Sequence, residues 1–379
     1  MLSRHFKLFR STQRFLPSLL PSLSSVSTSF HSTYVDRHIG PLQEEKGEYD
    51  VMLKKIGYES LEKLLEATIP AHIRLQANEI EDLHLSIGDG KEEHEALAEL
   101  KAKMSANKVN KSYIGMGYYD TLTPTPILRN ILENPSWYTP YTPYQAEISQ
   151  GRLEMLLNFQ TMVKGIVGKD ISNASLLDES TACAEAMTMS LSLSKKKFDS
   201  SNKPVFLMSK NCHPQNVAVV LQRAEPLGIT VLLTEDADIE RELATNSEGI
   251  FGVLVQYPDT FGRVMTNLES VVNTAHNNGV TVIASTDLLA CSVLKPPGEF
   301  GVDIVVGSAQ RFGVPLGFGG PHAAFLACNQ NDKDERKMPG RLIGITKDSR
   351  NKPALRMALQ TREQFIRRDK ATSNICTAQ

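Results

Sequence analysis

The sequence predicts an α/β fold, a mostly parallel sheet covered by helices and preceded by a helical segment. Three observations carry this. Six short apolar runs, at 205–208, 229–233, 250–256, 280–285, 302–306 and 323–327, do not alternate with polar residues, so both of their faces are expected to be buried. Helix-like stretches lie between several of them, as at 214–224 and 268–277, the pattern of strand–helix–strand units. The run at 302–306 then passes through a polar turn into a glycine-rich loop, 307–322. In open α/β sheets that is where ligands bind, beyond the carboxyl ends of strands.

The elements follow in order. Residues 1–35 contain no acidic side chain; the first is Asp36. On a helical wheel Leu2, Phe6, Phe9 and Leu16 share one side, and Arg4, Lys7, Arg10 and Arg14 fall together on another. Arginine-rich, serine-rich, acid-free and amphipathic is the signature of a mitochondrial transit peptide, which points to the matrix. The other reading is a tail with chance charge bias. Cleavage after residue 35 would take the net charge from -2 to -6, through loss of those four basic groups. Residues 36–147 form a helical N-terminal segment and an aromatic loop region. In it Val51, Met52, Ile56, Leu61, Leu64 and Leu65 give apolar helical spacing and Pro70 closes the stretch. Residues 88–108 are rich in Lys, Glu and Ala, as a solvated helix is. A loop rich in Tyr and Pro follows from 113 to 144. Residues 148–353 form the α/β domain, with further helices near 149–168 and 179–196. Residues 354–379 read as the start of a helix.

Composition narrows the function. A chain of 379 residues, 41% hydrophobic and 22% charged, can bury a large core. No basic excess points to nucleic acid, and no apolar run approaches a membrane span. The cysteines Cys183, Cys212, Cys291, Cys328 and Cys376 form no C-x-x-C pair and fit no metal motif. Free, buried thiols are the expectation. G-x-G-x-x-G, P-loop, H-E-x-x-H and G-x-S-x-G patterns are missing.

Five segments carry a resemblance. They are 112–119 (SYIGMGYY), 141–145 (YTPYQ), 295–303 (KPPGEFGVD), 317–322 (GFGGPH) and 367–377 (RRDKATSNICT). Together they closely resemble the glycine dehydrogenase (decarboxylating) family, the P-protein of the glycine cleavage system. The resemblance runs from about residue 37 to the end and covers the N-terminal half of that family's long chain. It implies the large domain of the aminotransferase-like, fold type I, pyridoxal-phosphate-dependent transferases. It also implies decarboxylation of glycine, with the aminomethyl group passed to the lipoyl arm of the H-protein. In the family the Schiff-base lysine belongs to the other half, and here Gln310 stands at the apparent lysine position. An amide nitrogen is delocalised into its carbonyl and cannot form an imine. The implied partners are the C-terminal half or second subunit, the lipoylated H-protein and glycine, within an oligomer. The alternative role is a non-catalytic partner, scaffold subunit or truncated product of that enzyme.

The candidate site residues each carry two readings. Asp287, at the end of the run 280–285, matches the carboxylate that pairs with a pyridinium nitrogen in this fold; it is equally a helix N-cap. Ser180 and Thr181 open a helix at the phosphate-cup position, or they only cap it. His213 is placed to stack on a cofactor ring, or is a satisfied structural histidine. Tyr118, Tyr119, Tyr141 and Tyr144, flanked by Gly and Pro, suit an interface or a lid at the other half's pocket; the alternative is aromatic packing. The basic group Arg362, Arg367, Arg368 and Lys370 either steers a carboxylate or an acidic carrier, or is a solvated helix face.

Overall fold

The computed structural model describes residues 48–75, 79, 91–134, 146–199, 201–320, 322–330, 337–340 and 342–358. The backbone divides into two compact units, 1–110 and 111–379. The expected boundary at 147/148 thus falls inside the second unit.

The described part of the first unit is helical: α1 (Glu48–Ile56), α2 (Leu61–Thr68) and α3 (Glu93–Ser105). The Ser60 hydroxyl caps α2 by accepting from the Lys63 N–H. A capping box between Glu92 and Glu95 starts α3. Apolar residues on these helices stand exposed, among them Val51, Met52, Ile56, Leu97 and Leu100.

The second unit is built on a seven-stranded sheet. Its strands are β1 (Ile171–Ser172), β2 (Val205–Ser209), β3 (Thr230–Thr234), β4 (Ile250–Tyr257), β5 (Thr281–Asp287), β6 (Ile304–Ser308) and β7 (Ala324–Cys328). The spatial order is β1-β7-β6-β5-β4-β2-β3. β7 alone runs against the direction of the other six. This is the α/β, mostly parallel fold that the continuous apolar runs require: β4, beside the central β5, is buried along its whole length.

The period of two along each strand divides those runs between two layers. Phe206, Met208, Phe251, Ile283 and Val306 pack in one cluster with residues of α5 (Glu179–Leu193) and α6 (Pro214–Ala224). Leu207, Val253, Val255, Val282 and Val305 pack in the other with α4 (Gln150–Val167), α7 (Ile239–Thr245) and α8 (Leu268–Asn277). Helix α5 lies so close to β4 that a Cβ on Gly252 would stand 2.7 Å from the Ser190 hydroxyl. A separate antiparallel pair, β8 (Leu342–Lys347) and β9 (Pro353–Ala358), packs on α4. Both amide atoms of Gln150 bond the Leu355 backbone, and both of Gln160 bond that of Ile343. The helix expected to begin at 354 is therefore a strand as far as 358. Its partner β8 is buried only at Leu342 and Ile343, a weak apolar signal that the nearby arginines outweighed.

The parallel strands end together, with Ser209, Thr234, Tyr257, Asp287 and Ser308 along one rim. Beyond that rim lies the site. Among the described residues no helix is long and apolar enough to cross a membrane, and no cluster of His, Cys, Asp and Glu could hold a metal. Cys183, Cys212, Cys291 and Cys328 are free and buried. Cys376 and the 1–35 segment lie outside the described residues.

Candidate functional site

A pocket of about 160 Å³ opens at the strand rim. Its floor comes from strand ends: Gln256, Thr286, Asp287 and Ser308. Glu179 and His213 enter from the starts of α5 and α6. Gln310 and Arg311 come from the turn after β6. Gly117, Tyr119 and Thr121 close it from above, on the aromatic loop.

That loop is tied down at three points. Gln215 donates to the Met116 carbonyl at 2.7 Å. The Thr121 and Thr123 hydroxyls donate to the carbonyls of Val314 and Gly313 at 2.9 and 2.5 Å. Two glycines make the fit possible. Gly117 has φ +86°, and a Cβ there would stand 3.2 Å from the His213 ring. Gly313 has φ +113°, and a Cβ there would stand 2.8 Å from the Leu122 carbonyl oxygen. Tyr118 meets His322 edge-on, with ring centroids 5.9 Å apart.

Glu179 is the hub of the floor. Its Oε1 accepts from Asn216 at 2.8 Å, Gln256 at 3.2 Å and Ser285 at 2.7 Å. Those donors come from α6, β4 and β5. The N-terminus of α5 adds its own positive end to the stabilisation of this carboxylate. The His213 Nε2 stands 4.0 Å from Glu179, and its Nδ1 lies 3.0 Å from the Thr260 hydroxyl. Burial pushes the His213 imidazole below the ordinary histidine range, against the pull of Glu179, Asp259 and Asp287. It is a buried histidine with one hydrogen bond, on the pocket wall.

Two groups expected to meet a cofactor are engaged elsewhere. Asp287 accepts from Arg311 at both oxygens, from Nε at 3.0 Å and from Nη2 at 2.9 Å. The Arg311 guanidinium carbon stands 3.9 Å from the centroid of the Tyr119 ring. At the start of α5 the Asp178 carboxylate accepts from the Thr181 N–H at 2.7 Å, and the Ser180 hydroxyl bonds the side-chain oxygen of Asn216 at 2.7 Å. Gln310 is buried, and its Nε2 has no hydrogen-bond partner among the described residues.

The structure thus brings together Gln310, Asp287, Ser180, Thr181, His213, Tyr118 and Tyr119 around one strand rim. Tyr141, Tyr144, Arg362, Arg367, Arg368 and Lys370 lie outside the described residues. Sequence reasoning missed Glu179, Gln256, Asn216 and Arg311. The signal for Arg311 was its place beside Gln310 after β6. For Glu179 it was an acidic residue at the first position of a helix that starts at the sheet rim.

Comparison with known proteins bears directly on this geometry. A family model described as the glycine cleavage system P-protein matches residues 36–379. The chain belongs to that P-protein family. The glycine dehydrogenase (decarboxylating) of Deinococcus radiodurans is 58% identical over 346 residues, covering 91% of this chain and 34% of its own. A mitochondrial glycine dehydrogenase (decarboxylating) from Flaveria anomala is 52% identical over 347 residues, covering 92% of this chain and 32% of its own. The chain therefore spans about a third of the length of the curated relatives it matches, as an N-terminal portion of the P-protein. A crystal structure of glycine decarboxylase (P-protein) of the glycine cleavage system, in inhibitor-bound form, superposes with TM-score 0.72 at 32% identity, covering 89% of this chain and 72% of that one.

The P-protein fold raises the question of pyridoxal phosphate. The residues of this pocket do not fit it. Gln310, expected at the anchor position, is an amide, Asp287, expected at the ring nitrogen, is bonded to Arg311, and the helix start is capped by Asp178. A pocket of about 160 Å³ is also below the roughly 300 Å³ at which sites for larger organic ligands begin.

Proposed function

We propose that this chain is the lysine-free half of a glycine decarboxylase. It works with a second half or subunit that carries the Schiff-base lysine and holds pyridoxal phosphate. The cofactor there supplies the electron sink for loss of glycine's carboxylate. This half contributes structure around that site, and the lipoyl arm of the H-protein receives the aminomethyl group. The single observation that carries the reading is the pocket's lining: Gln310 at the expected anchor and Arg311 on Asp287, in a chain of the P-protein family.

The aromatic loop is the part that would face the partner half. Tyr118 offers apolar area and a hydroxyl on a loop fixed at its base. Such a loop can shield a reactive centre from water across a subunit boundary. Tyr141 and Tyr144 would join it, and Arg367 and Arg368 would meet a carboxylate or an acidic carrier. The acid-free segment 1–35 and the mitochondrial plant relatives support import into the mitochondrial matrix.

The test co-expresses this chain with a lysine-bearing half and measures exchange of glycine's carboxylate with bicarbonate. Activity is expected only from the pair. Borohydride labelling should fix the cofactor on the partner polypeptide alone. A cofactor fixed to any lysine of this chain would overturn the assignment. So would full activity of the lysine-bearing half by itself.

A further inference from the structure

Arg311 and Asp287 form a pair with unusual surroundings. Both side chains are about four-fifths buried, at 22% and 20% exposure. The contact is bidentate, with Nε and Nη2 each meeting one carboxylate oxygen, the geometry that gives arginine its specificity for carboxylates. The guanidinium face lies against the Tyr119 ring at 3.9 Å. One planar cation is therefore held at its edge by a carboxylate and at its face by an aromatic ring.

That is the recognition pattern of a pyridinium ring in this fold. There too a strand-end carboxylate meets the edge of a planar cation. Arg311 reproduces the charge, the planarity and the edge contact, and adds a second hydrogen bond. The loop bearing Tyr119 is pinned over it through Gln215, Thr121 and Thr123, so the stacking partner is held in place without any ligand.

We propose that Arg311 is a built-in ligand. Its guanidinium fills a planar-cation site formed by Asp287 and Tyr119, at the place where this fold seats the cofactor ring. Once the arginine side chain is cut back, the site takes a guanidinium-class cation from solution. The inference concerns this chain alone. It needs no partner half and no decarboxylase activity, so it can fail while the proposed function stands, and the reverse.

The experiment is chemical rescue on the full chain. Arg311→Ala should lower the melting temperature by about 5 °C or more, since it leaves Asp287 without its counter-ion. Methylguanidinium at low millimolar concentration should restore part of that loss along a saturating curve. Methylammonium at equal ionic strength, a cation without the planar fork, should not. The wild type should show no gain, and adding Asp287→Asn to the Arg311→Ala chain should abolish the rescue. If Arg311→Ala does not fold, Arg311→Met keeps bulk against Tyr119 and enters a double-mutant cycle with Asp287→Asn, where strong coupling is expected. Absence of saturable rescue, equal gain in the wild type, or additivity in the cycle would overturn the proposal.

Discussion

The Ser180 hydroxyl and the Asn216 side-chain oxygen lie 2.7 Å apart, joining the first turn of α5 to the first turn of α6. Asn216 is fully buried and spends its amide group on Glu179 and Gln256. The four side chains make one network, linked through Asn216 and the Glu179 Oε1.

Breaking that network is expected to cost more at Asn216 than at Ser180. Ser180→Ala removes one bond and strands one buried acceptor, a loss of about 1–3 kcal/mol. Asn216→Leu removes the donor to Glu179 and the partner of Ser180 together, and should cost more than Ser180→Ala. Urea unfolding at constant m-value measures both. Equal losses would mean that Glu179 draws nothing from α6.

His213 gives the pH dependence its sign. Burial depresses its folded value, so the unfolded chain takes up a proton near pH 6.5 and the folded chain only at lower pH. The stability from this group is fully present above about pH 6.5 and is lost as pH falls toward the folded value. His213→Gln should flatten the profile in that window. The check compares urea midpoints of the two chains at about pH 7.5 and about pH 5. A wild-type profile that stays parallel to that of the variant would refute it.

Gly313→Ala should loosen the aromatic loop. The left-handed backbone alone costs about 1–2 kcal/mol for a residue with a Cβ, and the Cβ would press on the Leu122 carbonyl. The expected readout is faster amide hydrogen exchange across residues 118–124, with the central strands unchanged. Uniform exchange in all segments would instead indicate global destabilisation.

Tyr119 separates its ring from its hydroxyl. Burial and the charge of Asp287 push its phenol upward, so it stays neutral across the ordinary pH range. Tyr119→Phe keeps the face over Arg311 and should change stability little. Tyr119→Leu loses the cation–π contact, about 1–2 kcal/mol at a desolvated site. Thermal melts of the two variants distinguish face from hydroxyl; equal losses would assign the effect to the hydroxyl.

The sheet was legible because its strands are buried on both faces. A run such as 250–256 has no polar partner face to serve, and its position near the centre of the sheet follows from that. Helices α4, α5, α6 and α8 were legible from their spacing and starts, such as Pro214 at the first turn of α6. The two-residue β1, the seven-residue α7 and the β8–β9 pair were not, because too few side chains in each face the core. The site was half legible. Gln310 and Asp287 sit at strand ends that the pattern marks. The hub at Glu179 is not visible in sequence, since its three donors are 37, 77 and 106 positions away on three elements. Arg311 was read as part of a loop, and only the fold turns it toward Asp287.

The pair of Arg311 and Asp287 also bears on nutrition of the cell that makes this chain. A protein that binds its cofactor in the folded state alone gains stability from it and loses that stability when the vitamin is scarce. A pocket closed by the chain's own arginine gains nothing from vitamin B6. The amount of this polypeptide is therefore expected to follow its synthesis through B6 starvation, while a cofactor-holding partner thins out. If the chain works beside a separate lysine-bearing half, as proposed, scarcity would shift the two from equal numbers, and the lysine-bearing one would set how much assembled enzyme remains.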